Sequence, residues 1–249
     1  MKKILLSLLL GYAPFIHADS VTQVFVSNVN QSTISLADSQ RLEQLLNDPR
    51  LPDHIYWPAA IISSPAQDYL IQQKKEQVLR DLKSLQVFWM RDHQGGLVQT
   101  TQQLLRELDQ LDVAGRIKIT LDPDLSRIEP VNNPRLSGKY SLFISVRPSR
   151  LYLLGLINSR KSLPHQFAKG LDEYWQGHSL LPGANQGEVY LIQPDGSIDL
   201  SPVAVWNQYH IEPMPGATLF AGFDPTLLPA RFKNINLRIA ELIANRIPE

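Results

Sequence analysis

One local pattern occurs twice along this chain and constrains its fold more than any other feature: two short strands followed by a short helix. In the first copy, residues 23–26 and 32–36 have the alternating apolar and polar character of strands. A turn-rich stretch separates them, and Leu42, Leu45 and Leu46 follow at helical spacing. These residues predict a strand pair that leads into a single short helix.

The second copy lies in the second half of the chain. The apolar run 151–157 predicts a strand, and residues 165–167 predict a second, shorter one. Gly170 then opens a short helical pattern, whose apolar positions are Leu171, Tyr174 and Trp175. The same ββα unit is therefore predicted to be used twice.

Each ββα unit needs further strands to complete a sheet over its helix. The candidates are residues 116–121 and 139–146 for the first unit, and residues 189–192, 197–201 and 218–222 for the second. Pro194, Asp195 and Gly196 between two of these segments form a hairpin signal. The sequence thus predicts an α+β protein with two tandem β-grasp (ubiquitin-like) domains, over residues 19–147 and 148–228.

Two segments lie outside this repeated pattern. Residues 66–112 contain two long helical patterns joined at residues 94–96, which predicts a helical hairpin inserted in the first domain. Residues 229–249 carry an apolar stripe beside charged residues such as Arg238, which predicts a C-terminal amphipathic helix. We expect this helix to dock on its own protein, although a partner or a membrane surface would also suit it.

The N-terminal residues predict export. Lys2 and Lys3 precede the apolar run 4–10, and Ala18 offers a small residue for cleavage, so residues 1–18 are predicted to be a signal peptide. The apolar run is much shorter than the roughly 20 residues of a membrane-spanning helix. We therefore expect a periplasmic protein with no transmembrane segment after cleavage.

Composition and motifs exclude several classes of function. The chain has no cysteine, which excludes a disulfide framework and thiolate metal sites. It has 24 basic and 24 acidic residues, and this balance argues against nucleic acid as a partner. The histidines lack zinc-binding spacing, and no nucleophile elbow or phosphate-binding glycine loop is present. We expect no metal, no cofactor and no catalytic residues.

The segment that ends at Asp122 and Asp124 offers two kinds of chemistry. Two residues along a strand span roughly 6.6 Å, which leaves a glycosidase-like carboxylate pair open. Asp-Pro-Asp is also typical of a turn, and we favour the turn. Arg116 opens the predicted strand 116–121. Alternation alone makes it a solvated strand residue, whereas its five-donor fork would suit a pocket for an anionic group.

Aromatic residues give a weaker indication. Trp57, Trp175 and Trp206 have apolar faces that could stack on sugar rings. Because buried aromatic residues dominate the packing of domains of this size, most are expected in the core. This applies above all to Trp175, on the apolar face of the second short helix.

Several motifs, in their order and spacing, resemble the capsule-biosynthesis GfcC family of Gram-negative periplasmic proteins. They are Tyr56-Trp57-Pro58, Gly115-Arg116, residues 121–124, Asn133-Pro134, Gly138-Lys139-Tyr140, residues 202–207, residues 210–213, Pro215-Gly216 and Arg246-Ile247-Pro248. The match covers essentially the whole mature chain. One departure is Tyr56-Trp57-Pro58-Ala59, where the family commonly has Trp-Trp-Pro-Gly.

The resemblance implies tandem β-grasp domains, a helical hairpin inserted in the first and a C-terminal amphipathic helix. This arrangement is similar to part of Wza, the outer-membrane exporter of capsular polysaccharide. It implies a role in assembly or export of capsule or related exopolysaccharide, without enzymatic activity. The implied partners are outer-membrane export or assembly proteins, or the polysaccharide itself. The family's central arginine falls on Arg116.

Three hypotheses follow from the residues and the resemblance together. The first is a non-catalytic periplasmic assembly factor that works through protein contacts. The second is a polysaccharide-binding module, and the third, least favoured, is a glycan-modifying enzyme that uses Asp122 and Asp124. The candidate pocket or binding residues are Arg116, Asp122, Asp124, Trp57, Trp206 and Asn207.

Overall fold

The computed structural model describes residues 21–27, 32–37, 40–158, 162–203 and 210–249. The predicted signal peptide therefore lies outside the described residues. Within the described part, the chain has a mixed α+β architecture with two larger sheets and a small two-stranded one.

The first half of the chain builds a four-stranded sheet. Its elements are β1 (Thr22–Ser27), β2 (Ser32–Leu36), α1 (Leu42–Leu46), β3 (Ile61–Ser63), α2 (Pro65–Arg91), α3 (Gly95–Asp109), α4 (Pro123–Ile128) and β4 (Lys139–Phe143). The strand order is β2-β1-β4-β3. The central pair β1 and β4 is parallel, and the two outer pairs are antiparallel.

The predicted strand 116–121 is wrong. The edge of the first sheet is instead β3, which pairs with β4, and segment 116–121 joins it through the hydrogen bond from Ile117 N to Ile62 O (2.9 Å). The alternation of this segment has another cause. Ile117, Ile119 and Leu121 pack against the apolar core of the first sheet without forming a ladder.

The second half of the chain builds a five-stranded sheet with the order β10-β9-β11-β5-β7. Its elements are β5 (Arg150–Gly155), β6 (Ile157–Asn158), β7 (Ser162–Pro164), α5 (Leu171–Trp175), β8 (Ser179–Leu180), β9 (Glu188–Ile192), β10 (Ile198–Pro202), β11 (Thr218–Ala221) and α6 (Ile235–Ile243). Here β5 and β11 are the parallel pair. The small sheet consists of β6 and β8.

The two larger sheets repeat one strand arrangement. In each, the first strand pairs antiparallel with the second and parallel with a late strand, β4 or β11. That late strand pairs antiparallel with a middle strand, β3 or β9. One boundary in the second sheet differs from the sequence prediction. Residues 165–167 form a loop with Phe167 94% exposed, and the pairing strand is β7, directly before it.

The helical hairpin α2–α3 packs with the second sheet, although the chain inserts it between β3 and β4. Buried residues of α2 and α3, such as Leu82 and Leu104, form one apolar cluster with Leu153, Leu191 and Phe220 of the second sheet. The first sheet has a separate cluster of its own. Its members include Val24, Val26, Ile34, Leu42, Leu45, Ile62 and Leu142.

The C-terminal helix α6 docks on the protein itself. Its apolar stripe is buried in the cluster shared by the hairpin and the second sheet, and it contacts α2 and β9. It is shorter than the predicted segment 229–249. None of the helices in the described ranges is both long enough and apolar enough to cross a membrane.

Candidate functional site

The approach of the chain to Arg116 is fixed by a glycine. Gly115 lies so close to the start of α2 that a Cβ on it would stand 2.2 Å from the backbone of Gln67. Only glycine permits this contact. The amide of Gly115 donates to Asp68 Oδ1 (2.8 Å), and the amide of Arg116 donates to Asn245 Oδ1 (3.0 Å). The backbone on both sides of Arg116 is therefore held by long-range contacts.

The guanidinium of Arg116 joins three separate parts of the molecule. Nη1 donates to Ala60 O (3.1 Å) beside β3, and Nη2 donates to Pro194 O (2.8 Å) in the turn between β9 and β10. Nε donates to Ala244 O (3.3 Å) just after α6. Because the side chain is half-buried and bonded in this way, the interpretation of Arg116 as a solvated strand residue is wrong.

Burial governs the electrostatics of Arg116. Loss of water lowers the pKa of the guanidinium to about 10, and the negative charge of Asp195 opposes this shift. The group therefore remains charged at neutral pH. Gly196 makes room for it: at a φ of +90°, a Cβ on Gly196 would lie 3.0 Å from Arg116 Nε. The turn that accepts the bond from Nη2 is thus shaped around the arginine.

Arg116 also lines an open cleft of about 640 Å³, which we call the central cleft. Segment 116–122 forms one wall, and the turn at residues 195–197 forms another. Trp57 is half-buried at the cleft and Lys118 is exposed there. Further polar lining comes from Thr120, Asp122, Asn132, Asp195 and Ser197. The cleft therefore combines one aromatic face with two cations, two carboxylates and two hydroxyl groups.

The two predicted carboxylates, Asp122 and Asp124, both lie at the start of α4. Asp122 is the N-cap of α4, and its Oδ1 accepts hydrogen bonds from the amides of Asp124 (2.8 Å) and Leu125 (3.1 Å). Asp124 lies exposed in the first turn of α4, where its negative charge interacts favourably with the helix dipole. The predicted turn is thus the start of a short helix. Neither carboxylate is a hydrogen-bond acceptor of Arg116, whose guanidinium uses backbone carbonyls instead.

The predicted site residues are brought together only in part. Trp57, Arg116 and Asp122 line the central cleft, whereas Asp124 is not among its lining residues. Trp206 and Asn207 lie outside the described residues. Trp175 is buried, as expected for a core residue.

Other residues of the site carried no signal in the sequence. Asn245 and the carbonyl of Ala244 reach Arg116 from the far end of the chain, through backbone and amide groups that no motif reveals. Pro194 and Asp195 were recognisable only as a turn. Tyr56, by contrast, belongs to a motif seen in the sequence but does not line the central cleft; its ring lies 5.5 Å from the guanidinium carbon of Arg147, and burial raises the pKa of its hydroxyl.

Metal binding has no support in the described ranges, which contain no group of three or more His, Asp or Glu side chains placed to hold an ion. The site consists instead of a partly buried, charged arginine that joins three segments, and a cleft beside it. This arrangement suits the joining of structural units or the binding of a polar ligand.

Comparison with known proteins supports one family over both halves of the chain. Residues 18–147 match the family described as capsule biosynthesis GfcC, N-terminal, and residues 159–248 match capsule biosynthesis GfcC C-terminal. The chain is also similar to the uncharacterized protein YjbG of Escherichia coli strain K12, with 30% identity over 250 residues and full coverage of both chains. The resemblance seen in the sequence motifs is confirmed, and the chain belongs to the capsule biosynthesis GfcC family.

Proposed function

We propose that this protein is a non-catalytic periplasmic factor that assists assembly or export of capsular or related exopolysaccharide through protein contacts. The observation that carries the proposal is the family match in both halves of the chain. The family name ties the chain to capsule biosynthesis. The predicted signal peptide supports a periplasmic location, where such a factor would meet outer-membrane export or assembly proteins.

We also infer that the two larger sheets are tandem β-grasp domains. The support is a four-strand arrangement that both sheets contain, a parallel pair with an antiparallel neighbour on each side, to which the second sheet adds β10. Each also has a short helix, α1 or α5, after its first two strands.

Two features favour a role without catalysis. The carboxylate of Asp122 is occupied in capping α4, and an N-cap that accepts two amide bonds is a structural use of the group. The donors of Arg116 are directed at backbone carbonyls that hold separate segments together. Both residues are therefore explained by architecture.

A group of exposed aliphatic side chains beside the central cleft supports a role in protein contacts. Leu125, Ile128 and Val131, in α4 and the turn after it, are all exposed, and Ile128 and Val131 are 74% and 83% exposed. Neighbouring residues Asp122 and Asn132 line the cleft. Grouped exposed aliphatic side chains of this kind often mark protein interaction sites.

The decisive experiment is deletion of the gene in a strain that makes capsule. We expect less surface polysaccharide, or polysaccharide that is shed into the medium, with rescue by the wild-type gene. Crosslinking in the periplasm followed by capture of the tagged protein should recover an outer-membrane export or assembly protein. The mature protein should begin at Asp19. Unchanged amount and retention of surface polysaccharide would reject the proposed role.

Polysaccharide binding is the second candidate, favoured by the central cleft. Trp57 offers an aromatic face, and Lys118 and Arg116 offer positive charge to an acidic sugar. Calorimetry with the organism's own acidic polysaccharide should then give measurable heat that Trp57→Ala removes. Absence of heat at millimolar sugar would leave protein contacts as the working hypothesis.

A further inference from the structure

The chain after α6 is fastened to the segment that follows α3. Ala114 N donates to Asn245 O (2.9 Å), and Ile247 N donates to Asp112 O (3.0 Å). Val113 and Arg246 form an isolated antiparallel bridge between these two bonds. The backbone at Arg246 is therefore fixed independently of its side chain.

The side chain of Arg246 is held over an aromatic ring. Its guanidinium carbon lies 3.9 Å from the centre of the Tyr152 ring, which is a stacked cation–π geometry. The side chain is 15% exposed. Nη2 makes a long contact with Gly216 O (3.5 Å). Contacts within the protein therefore position the guanidinium of Arg246 even without its anionic partner.

The anion paired with Arg246 is held much more loosely. Glu249 accepts from Arg246 Nη1 at Oε1 (3.2 Å) and from the Tyr152 hydroxyl at Oε2 (3.3 Å), yet its side chain is 72% exposed. Exposed ion pairs contribute little to stability because water and salt screen them. A carboxylate from a ligand can therefore replace that of Glu249 at low cost.

Arg246, Tyr152 and Glu249 stand at a groove of about 310 Å³ between the base of the hairpin and the second sheet, which we call the hairpin-base groove. This volume is at the lower end of the range for small-molecule sites. Leu111, Leu153 and Leu154 give it apolar lining, and Gln110, Ser162 and Thr218 give it polar groups. Glu107, its other carboxylate, accepts a hydrogen bond from Gly155 N (3.2 Å).

We propose that Arg246 and Tyr152 form a binding site for the carboxylate of an acidic sugar unit, and that Glu249 occupies this site in the free protein. The requirement for a carboxylate rests on the guanidinium and phenol that already hold one. The choice of a sugar rests on the proposed function, and the mixed apolar and hydroxyl-bearing groove suits the two faces of a pyranose ring. The hairpin-base groove and the central cleft share no lining residue, although both Arg116 and Arg246 line a third, much smaller cavity.

The test is calorimetric titration of the mature protein, residues 19–249, with sodium glucuronate, and with glucose as the neutral analogue. We expect glucuronate to bind and glucose to give no measurable heat. Glu249→Gln removes the competing charge and should tighten glucuronate binding by about two- to fivefold. Arg246→Lys keeps the charge but loses the planar fork, and should weaken binding about tenfold. Tyr152→Phe keeps the stacked ring and should weaken binding less.

The matched control is Arg231→Lys, at an exposed arginine whose guanidinium carbon lies 4.4 Å from the centre of the Phe232 ring and which does not line the hairpin-base groove. It should bind glucuronate as the wild type does. Equal heats for glucuronate and glucose would overturn the proposed site. So would an unchanged glucuronate affinity in Glu249→Gln, provided that this variant has the wild-type melting temperature. Stronger binding of an acetylated glutamate peptide than of glucuronate would overturn the assignment to a sugar. Because the readout is binding by pure protein, it is independent of capsule output.

Discussion

The two larger sheets share a four-strand arrangement, to which the second sheet adds β10 at one edge, but they differ in what covers them. The first sheet closes over α1 with an apolar cluster of its own. The second sheet shares its cluster with both helices of the hairpin and with α6, and every residue of β11 is buried. The same strand plan therefore supports a small, self-contained core in one case and a much larger composite core in the other.

This difference separates chain order from packing. The hairpin is inserted between strands of the first sheet, yet its buried leucines belong to the core of the second. The chain must therefore pass from one core to the other before α2 and return after α3. Arg116 lies where the chain returns to the first sheet. Its guanidinium contacts the first sheet at Ala60, beside β3, and the second sheet at Pro194, in the turn between β9 and β10.

The strongest test of this division is loss of a buried leucine from the hairpin. Leu82 is fully buried in α2, and Leu82→Ala should cost about 2–5 kcal/mol because it leaves a cavity in the composite core. Hydrogen exchange should then increase in β5 and β11. The matched variant Leu45→Ala removes an equally buried leucine of α1 and should increase exchange in β1 and β4. Faster exchange of β1 and β4 in Leu82→Ala would contradict the division.

Removal of Arg116 should uncouple the two cores. Arg116→Ala deletes three hydrogen bonds to carbonyls, and the variant no longer pays to desolvate the guanidinium on folding, which offsets part of the loss. We expect a net cost of about 2–4 kcal/mol and a broader thermal transition as the sheets unfold separately. Lys118→Ala, at an exposed cation on the same segment, should change stability by less than about 0.5 kcal/mol. A single transition with wild-type midpoint in Arg116→Ala would exclude a joining role.

Local periodicity was sufficient to predict most strands, the hairpin and α6, because each of these elements buries one face and the alternation records it. Segment 116–121 shows the limit of this reasoning. Ile117, Ile119 and Leu121 alternate because they fill the first core, and β3 already occupies the sheet edge. The alternating pattern thus predicted correctly which side chains are buried, but it did not predict whether the segment pairs with a neighbouring strand.

The site was less accessible to sequence reasoning than the fold. Arg116 stood out by type and motif, but its acceptors are backbone carbonyls up to 128 positions away along the chain. Backbone carbonyls carry no sequence signature, so the sequence could not indicate which of them Arg116 would reach. Likewise, the leucines of the hairpin indicated a buried face, but nothing in the sequence indicated that the second sheet would cover it.

A smaller loss of stability is expected from removal of Asp122, the N-cap of α4 in the first half of the chain. Asp122→Ala removes an acceptor for two amides and should cost about 1 kcal/mol, whereas Asp122→Asn keeps a good N-cap and should be nearly neutral. The double variant Asp122→Asn, Asp124→Asn should leave both the melting temperature and capsule output unchanged. Loss of capsule output by that stable double variant would instead support a catalytic use of the two carboxylates.

The smallest expected effect concerns the partly buried ion pair that links α6 to the hairpin. Arg238 Nη1 lies 2.6 Å from Asp81 Oδ2, and both side chains are partly buried. A double-mutant cycle with Arg238→Gln and Asp81→Asn should give a coupling of about 0.5–1 kcal/mol. The matched pair Arg80–Glu76 lies within α2 alone and is more exposed, so its coupling should be about 0.3 kcal/mol. Because only the first pair connects two elements, its loss should also speed hydrogen exchange in α6. Equal couplings with unchanged exchange would mean that apolar packing alone holds α6 on the hairpin.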